Sequence, residues 1–379
     1  MHHATLLPGL AAATLVTAAT ATTPATSIDA IFAAAHDRDA FHGNVLAAAG
    51  DTVLYEASFG RADDSTGTPL DATSVFELAS ITKPITAVAV LQLVEANEVE
   101  LDAPVSAHLD ELPVRGITIR HLLTHTSGLL SHQQLFMRYG RSLPPGAVVD
   151  NDAILEFLRR ERPEPASAPG ERFDYNNLNY ILLAAIVEQV AGISFDDYLE
   201  ERIFEPAGMG TADLLLDRYA DSPTPVPNLT RSYVRSLEGT DWVEIEEADP
   251  RRWGFVKTFS ATAGDAGIVA TARDLLAFDR ALRDGTLLRP DTLKLAYTSG
   301  TLSDGTPIEN VGWMPSGYGL GWYLTGDGLA WHSGDWGGYQ TVIFRDLARD
   351  RVLIVLQNRA ANDWSWVGPV FSTFTAPAN

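Results

Sequence analysis

Apolar residues change their spacing three times along this chain. In residues 41–63, FHGNVLAAAGDTVLYEASFGRAD, two runs rich in Val, Leu, Tyr and Phe flank Ala49-Gly50-Asp51, which predicts a β-hairpin. Residues 77–97, ELASITKPITAVAVLQLVEAN, place Ile81, Ile85, Val88, Leu91, Leu93 and Val94 most of the way round a helix. A helix of that kind is buried at the centre of a domain. Pro84 is tolerated only in a first turn, so the helix starts at about Ser80 or Ile81.

The middle third keeps helical spacing between Pro-rich breaks. NDAILEFLRRE and NYILLAAIVEQVAG predict two helices, the second stopped at Gly192, and SFDDYLEERIF a third with Ser194 as its N-cap. RPEPASAPGERFDYNN between the first two reads as a loop. Residues 211–262 show no clear period and are expected to be irregular. TARDLLAFDRALRDG predicts another helix, with Thr271 and Asp274 as a capping box and Gly285 as its stop.

The end of the chain returns to strands. YGLGWYL, GLAWHSG, GYQTVIFRD and RVLIVLQN are separated by short Gly or Asp turns, and a last helix is expected between Trp364 and Thr375. Strands at both ends with helices between them predict an α/β fold of the α+β type. Its antiparallel sheet is built from both termini and flanked by helices, with a helical lobe inserted over roughly residues 100–260.

Composition narrows the partners. The net charge of -22 argues against a phosphate backbone, so no nucleic-acid partner is expected. The chain has no cysteine, which excludes disulfides, thiolate metal sites and a cysteine nucleophile. Residues 1–28 contain no Asp, Glu, Lys or Arg, and their apolar stretch followed by Ala19 and Ala21 resembles a secretory signal peptide, although His2 and His3 stand where Lys or Arg is usual. The expectation is an exported protein whose domain spans residues 29–379, with no stable membrane anchor after processing.

Candidate chemistry begins with a rare residue. Only three lysines occur, Lys83, Lys257 and Lys294, and Lys83 stands three positions after Ser80 at the mouth of the apolar helix. Residues three apart share a helical face. The helix start offers unpaired N–H groups that favour developing negative charge. A serine hydroxyl needs a base to become a nucleophile. Lysine can lose its proton when desolvated, whereas arginine stays protonated. Chance alone gives ~0.2 Ser-x-x-Lys matches in a chain of this composition, so the pair by itself is suggestive only.

Three further segments follow in order: HLLTHTSGL, YNNLNY and HSGDWGGY. With SITK they resemble the serine beta-lactamase and penicillin-binding protein superfamily. The likeness is to its class C-like branch, which also holds D-Ala-D-Ala carboxypeptidases, D-aminopeptidases and esterases, and it runs from about Phe41 to Asn358, including GDAGIVATARDLLAF and YGLGWY. It implies a beta-lactamase/transpeptidase-like fold and carries the family's three signatures onto Ser80 and Lys83, Tyr175 and Asn177, and His332 and Gly334. By that resemblance Ser80 is the nucleophile, Lys83 its proton acceptor and Tyr175 a general base and acid. Asn177 hydrogen-bonds both Lys83 and the substrate, while the N–H groups of Ser80 and Asp335 form an oxyanion hole. No cofactor and no metal is implied.

Class C beta-lactamases usually carry Lys where this chain has His332, which lowers the expectation of beta-lactam hydrolysis. A D-alanyl peptide or D-amino-acid amide is expected first, a small ester second and a beta-lactam third. A penicillin-binding sensor or scaffold with negligible turnover is the reading of another class. The i, i+4 pair His121 and His125 permits zinc, but HLLTH lacks the glutamate of a zincin, and there is no Gly-x-Ser-x-Gly elbow. The pocket walls are expected from residues 211–262 and from Tyr339.

Overall fold

The computed structural model describes residues 27–374, apart from 141, 142, 145 and 240. Most of the leader segment therefore lies outside the described residues. Seven antiparallel strands form the main sheet: β1 (Gly43–Ala49), β2 (Thr52–Phe59), β3 (Gly317–Tyr318), β4 (Tyr323–Leu324), β5 (Leu329–Trp336), β6 (Tyr339–Asp346) and β7 (Arg351–Gln357). Their order is β3-β4-β5-β6-β7-β1-β2. The two ends of the chain meet inside the sheet, where β7 pairs with β1 from Gln357–Gly43 to Arg351–Ala49. The predicted hairpin is β1–β2. YGLGWYL gives two short strands, because the chain turns back at residues 319–322, where the Gly319 N–H donates to the Trp322 carbonyl at 2.8 Å.

Helices cover both faces of this sheet. We number α1 (Ile28–Asp37), α2 (Thr82–Glu95), α3 (His132–Tyr139), α4 (Asn177–Ala191), α5 (Pro250–Thr258), α6 (Ala272–Arg283) and α7 (Val367–Phe374). On one face Phe32 of α1 and Val370 of α7 join Val45, Trp331, Val342 and Val355 in one apolar cluster. On the other, α2, α4 and α6 pack against Leu46, Ile343 and Ile354. The all-round apolar pattern of α2 is explained by its burial from Thr82 to Leu91. Each Leu or Ile so enclosed contributes about 1.5–3 kcal/mol relative to exposure.

Local signals decide where these helices begin and end. Asn176 caps α4, accepting from the Leu178 N–H at 3.0 Å, and Gly192 ends it in the left-handed region. Thr271 and Asp274 form the expected capping box of α6. The expectation that residues 211–262 are irregular is corrected: they hold a hairpin of Tyr233–Arg235 with Trp242–Glu244, and α5, capped by Asp249 with Pro250 in its first turn. Three-residue strands are too short to show a period, and α5 is only partly buried, so it carries little apolar stripe. Among the described residues no single helix is long and apolar enough to cross a membrane.

Candidate active site

Ser80 lies in a single 3-10 turn, Ala79–Ile81, that runs directly into α2 at Thr82. The preceding Ala79 is held at φ +50°, a left-handed conformation costing a side-chain-bearing residue on the order of 1 kcal/mol. Strand β5 and its neighbour clamp this turn. Thr341 Oγ1 of β6 donates to the Leu78 carbonyl at 2.7 Å. Gly334 of β5 comes so close that a Cβ there would lie 2.3 Å from the Leu78 oxygen. Gly334 is thus required by the approach of two backbones, one from each end of the chain.

Lys83 is fully buried one turn further on. Its Nζ donates to Ser80 Oγ at 3.0 Å and to the main-chain carbonyl of Asp265 at 2.8 Å. Burial drives its pKa below the ordinary lysine value, and the negative Asp265 opposes that shift. Asp265 reaches this position on a loop wedged between α2 and α4. A Cβ on Gly264 would lie 2.3 Å from the Tyr180 carbonyl, and Thr86 Oγ1 donates to the Gly264 carbonyl at 2.8 Å.

Tyr175 faces the same pair. The Lys83 ammonium stands 5.1 Å from its ring centroid. Burial and the neighbouring Tyr323 push its pKa well up, only partly offset by the Ser80 hydroxyl nearby, so the resting phenol keeps its proton. The Tyr175 loop is pinned by His125, whose Nδ1 accepts the Asn176 N–H at 3.1 Å and whose ring lies 4.3 Å from that of Tyr175. His121 Nδ1 accepts the Thr118 N–H in a helix cap. The two histidines thus each anchor backbone.

The expected bond between Asn177 and Lys83 is replaced by the one from Lys83 to the Asp265 carbonyl. Asn177 Oδ1 is buried without a partner. His332 is 1% exposed, and burial together with the Lys83 charge lowers its pKa to about 3, which favours the neutral ring and disfavours its use as a carboxylate anchor. Its Nδ1 lies 2.8 Å from the Ser333 carbonyl, which can only accept, so Nδ1 carries the proton. Nε2 then accepts from the Tyr318 hydroxyl at 3.3 Å. Asp335 points away from the Ser80 turn, since strand alternation puts it opposite to Gly334, and its Oδ2 accepts from Gln340 Nε2 at 2.9 Å.

Two cavities meet at Ser80. One, of about 420 Å³, is walled by Phe136, Phe255, Phe259, Ile181 and Trp336, with Asp265 and Asn177 among its few polar residues. The other, of about 360 Å³, adds Tyr175, Trp253, Tyr323 and His332. Of the expected region 211–262, Trp253, Phe255, Phe259 and Thr262 form walls. Tyr339 does not: it is fully buried, with its hydroxyl bonded to the Thr230 carbonyl. Asp265 was missed, although an acid between glycines just before an apolar strand was the available signal.

The family model described as Beta-lactamase matches residues 28–367. The chain is 32% identical over 336 residues to penicillin-binding protein 4* of Bacillus subtilis, covering 88% of this chain and 71% of that protein. It is 30% identical to esterase EstB of Burkholderia gladioli, over 91% of this chain and 93% of the esterase. A D-aminopeptidase of Brucella anthropi is 28% identical over 60% of this chain, which spans only 40% of that protein's length. Among solved structures, a penicillin binding protein from Bacillus halodurans superposes with TM-score 0.73 at 24% identity, covering 90% of this chain and 98% of that one.

Proposed function

Because the chain belongs to the beta-lactamase family of hydrolases, we propose that it cleaves amides or esters that carry no carboxylate anchor through an acyl-enzyme on Ser80. A D-amino-acid amide is the first substrate class and a small ester the second. One observation carries the reading: a fully buried lysine whose pKa is lowered by burial donates to the Ser80 hydroxyl where two cavities meet.

In this reading Lys83, in its neutral form, takes the Ser80 proton as Oγ bonds to the substrate carbonyl carbon. The oxyanion is met by the N–H groups of Ser80 and Asp335. The Tyr175 hydroxyl protonates the leaving group and is reprotonated from Lys83, and water then repeats the sequence to release the acid. Asn177 Oδ1 accepts a substrate N–H. The neutral state of His332 argues against substrates that need a carboxylate anchor, which moves carboxypeptidase and beta-lactamase activity down the order.

The test is covalent labelling with a fluorescent phosphonate, followed by turnover on D-alanine 4-nitroanilide, 4-nitrophenyl butyrate and nitrocefin. Wild type should label and turn over the first two, and Ser80→Ala should do neither. Persistent labelling of the variant overturns the assignment, and a burst of acylation without turnover identifies a sensor instead.

A further inference from the structure

Apart from the buried Lys83 beneath Ser80, the substrate cleft carries charge of one sign. Among the described residues lining either cavity there is no Lys or Arg, and burial favours the neutral form of the one histidine, His332. Two carboxylates, Asp265 and Asp335, line the larger cavity. Asp335 shares its charge with the Gln340 amide. Asp265 is 6% exposed, its Oδ1 has no hydrogen-bond partner, and Lys83 binds its main-chain oxygen. Asn177 Oδ1, also lining the larger cavity, is a second partnerless acceptor.

A buried acceptor left unpaired is costly, and more so when it is charged. A site keeps such groups when a ligand completes them. Here both are acceptors, so the ligand must bring donors, and once Lys83 is neutral, as acyl transfer requires, the Asp265 carboxylate is left without the cation it otherwise faces. The remaining walls, Phe136, Phe255 and Phe259, are aromatic and suit an apolar side chain. The overall charge of -22 draws cations and repels anions on approach.

We propose that Asp265 is a specificity-determining residue that receives the protonated amine of an aminoacyl substrate, selecting apolar aminoacyl amides and esters over plain acyl ones. The proposal rests on the acyl-enzyme reading of the same cleft. The ammonium donates to the Asp265 carboxylate, the side chain lies among the phenylalanines, and the carbonyl carbon is presented to Ser80.

The experiment compares kcat/KM for the D and L forms of phenylalanine 4-nitroanilide with 3-phenylpropanoyl 4-nitroanilide, which lacks only the amine. Wild type should favour one amino form by about tenfold or more, the size of a single well-placed charge contact. Asp265→Asn should cut that ratio by about tenfold. An effect of the variant through Lys83 changes both rates alike and leaves the ratio alone. An unchanged ratio, or a wild-type preference for the des-amino substrate, overturns the proposal.

A second measurement needs no variant. Phenethylammonium should inhibit 4-nitrophenyl butyrate hydrolysis at least about tenfold more tightly than 2-phenylethanol, and equal inhibition counts against the proposal. Phosphonate labelling of Ser80 separates the levels: labelling without turnover of any anilide sinks the aminoacyl preference, and no labelling sinks the acyl-enzyme reading beneath it.

Discussion

Lys83 and Asp265, 182 residues apart, are joined by a 2.8 Å hydrogen bond from the lysine amine to a main-chain carbonyl. The same amine reaches Ser80 Oγ at 3.0 Å. The carbonyl fixes where the amine sits, and the apolar surroundings decide how readily it gives up its proton.

Replacing Lys83 with arginine keeps the charge and removes the base. Lys83→Arg should lower kcat by about 10²–10⁴-fold, the range of a lost general base. Steady-state hydrolysis of 4-nitrophenyl butyrate measures it, with circular dichroism to check folding. Wild-type rates in this variant would remove the proton-acceptor role.

The pH dependence follows from two directions. Burial lowers the Lys83 pKa, so the neutral amine, and with it kcat/KM, should rise with pH through a midpoint below the ordinary lysine value. In Asp265→Asn the opposing negative charge is gone, the cation is less favoured, and this limb should move to lower pH. His332, lowered to about 3, contributes no limb near 6.5. A histidine limb there, abolished in His332→Gln, would contradict its neutral state.

Gly334→Ala should damage folding and chemistry together. The added methyl meets the Leu78 oxygen at 2.3 Å and Thr341 Oγ1 at 2.4 Å. Overpacking of this kind costs about 1–3 kcal/mol. Thermal melts should show the loss, and kcat should fall because the displaced atoms carry the Ser80 turn. A melt and rate like wild type would show that the strand gives way without cost.

Phe255 separates binding of the acyl group from chemistry. It lines both cavities and lies 6.2 Å, centroid to centroid, from Phe136. Phe255→Ala should raise KM for 4-nitrophenyl octanoate far more than for the acetate, at nearly constant kcat. Parallel changes for both esters would place the acyl chain elsewhere.

How much of this was legible depended on whether a residue type forces its own setting. Ser80, Lys83 and Tyr175 converge as the spacing and the resemblance implied, and the α2 pattern announced a buried helix because apolar residues surround it. The hairpin at Gly50 and the α6 capping box were equally local signals. What failed depended on neighbours distant in sequence. Asn177 could not be known to lack the Lys83 bond until the Gly264–Asp265 loop was seen to supply it. His332 could not be known to be neutral until its burial beside a cation was seen. The hairpin at 233–244 was too short to show a period.

The clamp of Thr341 on Leu78 spans 263 positions in the chain. A ribosome must therefore finish nearly the whole polypeptide before the nucleophile acquires its geometry. Fragments ending short of β6 should be inert toward the phosphonate however well α2 forms, and the appearance of covalent label during refolding becomes a clock for closure of the sheet.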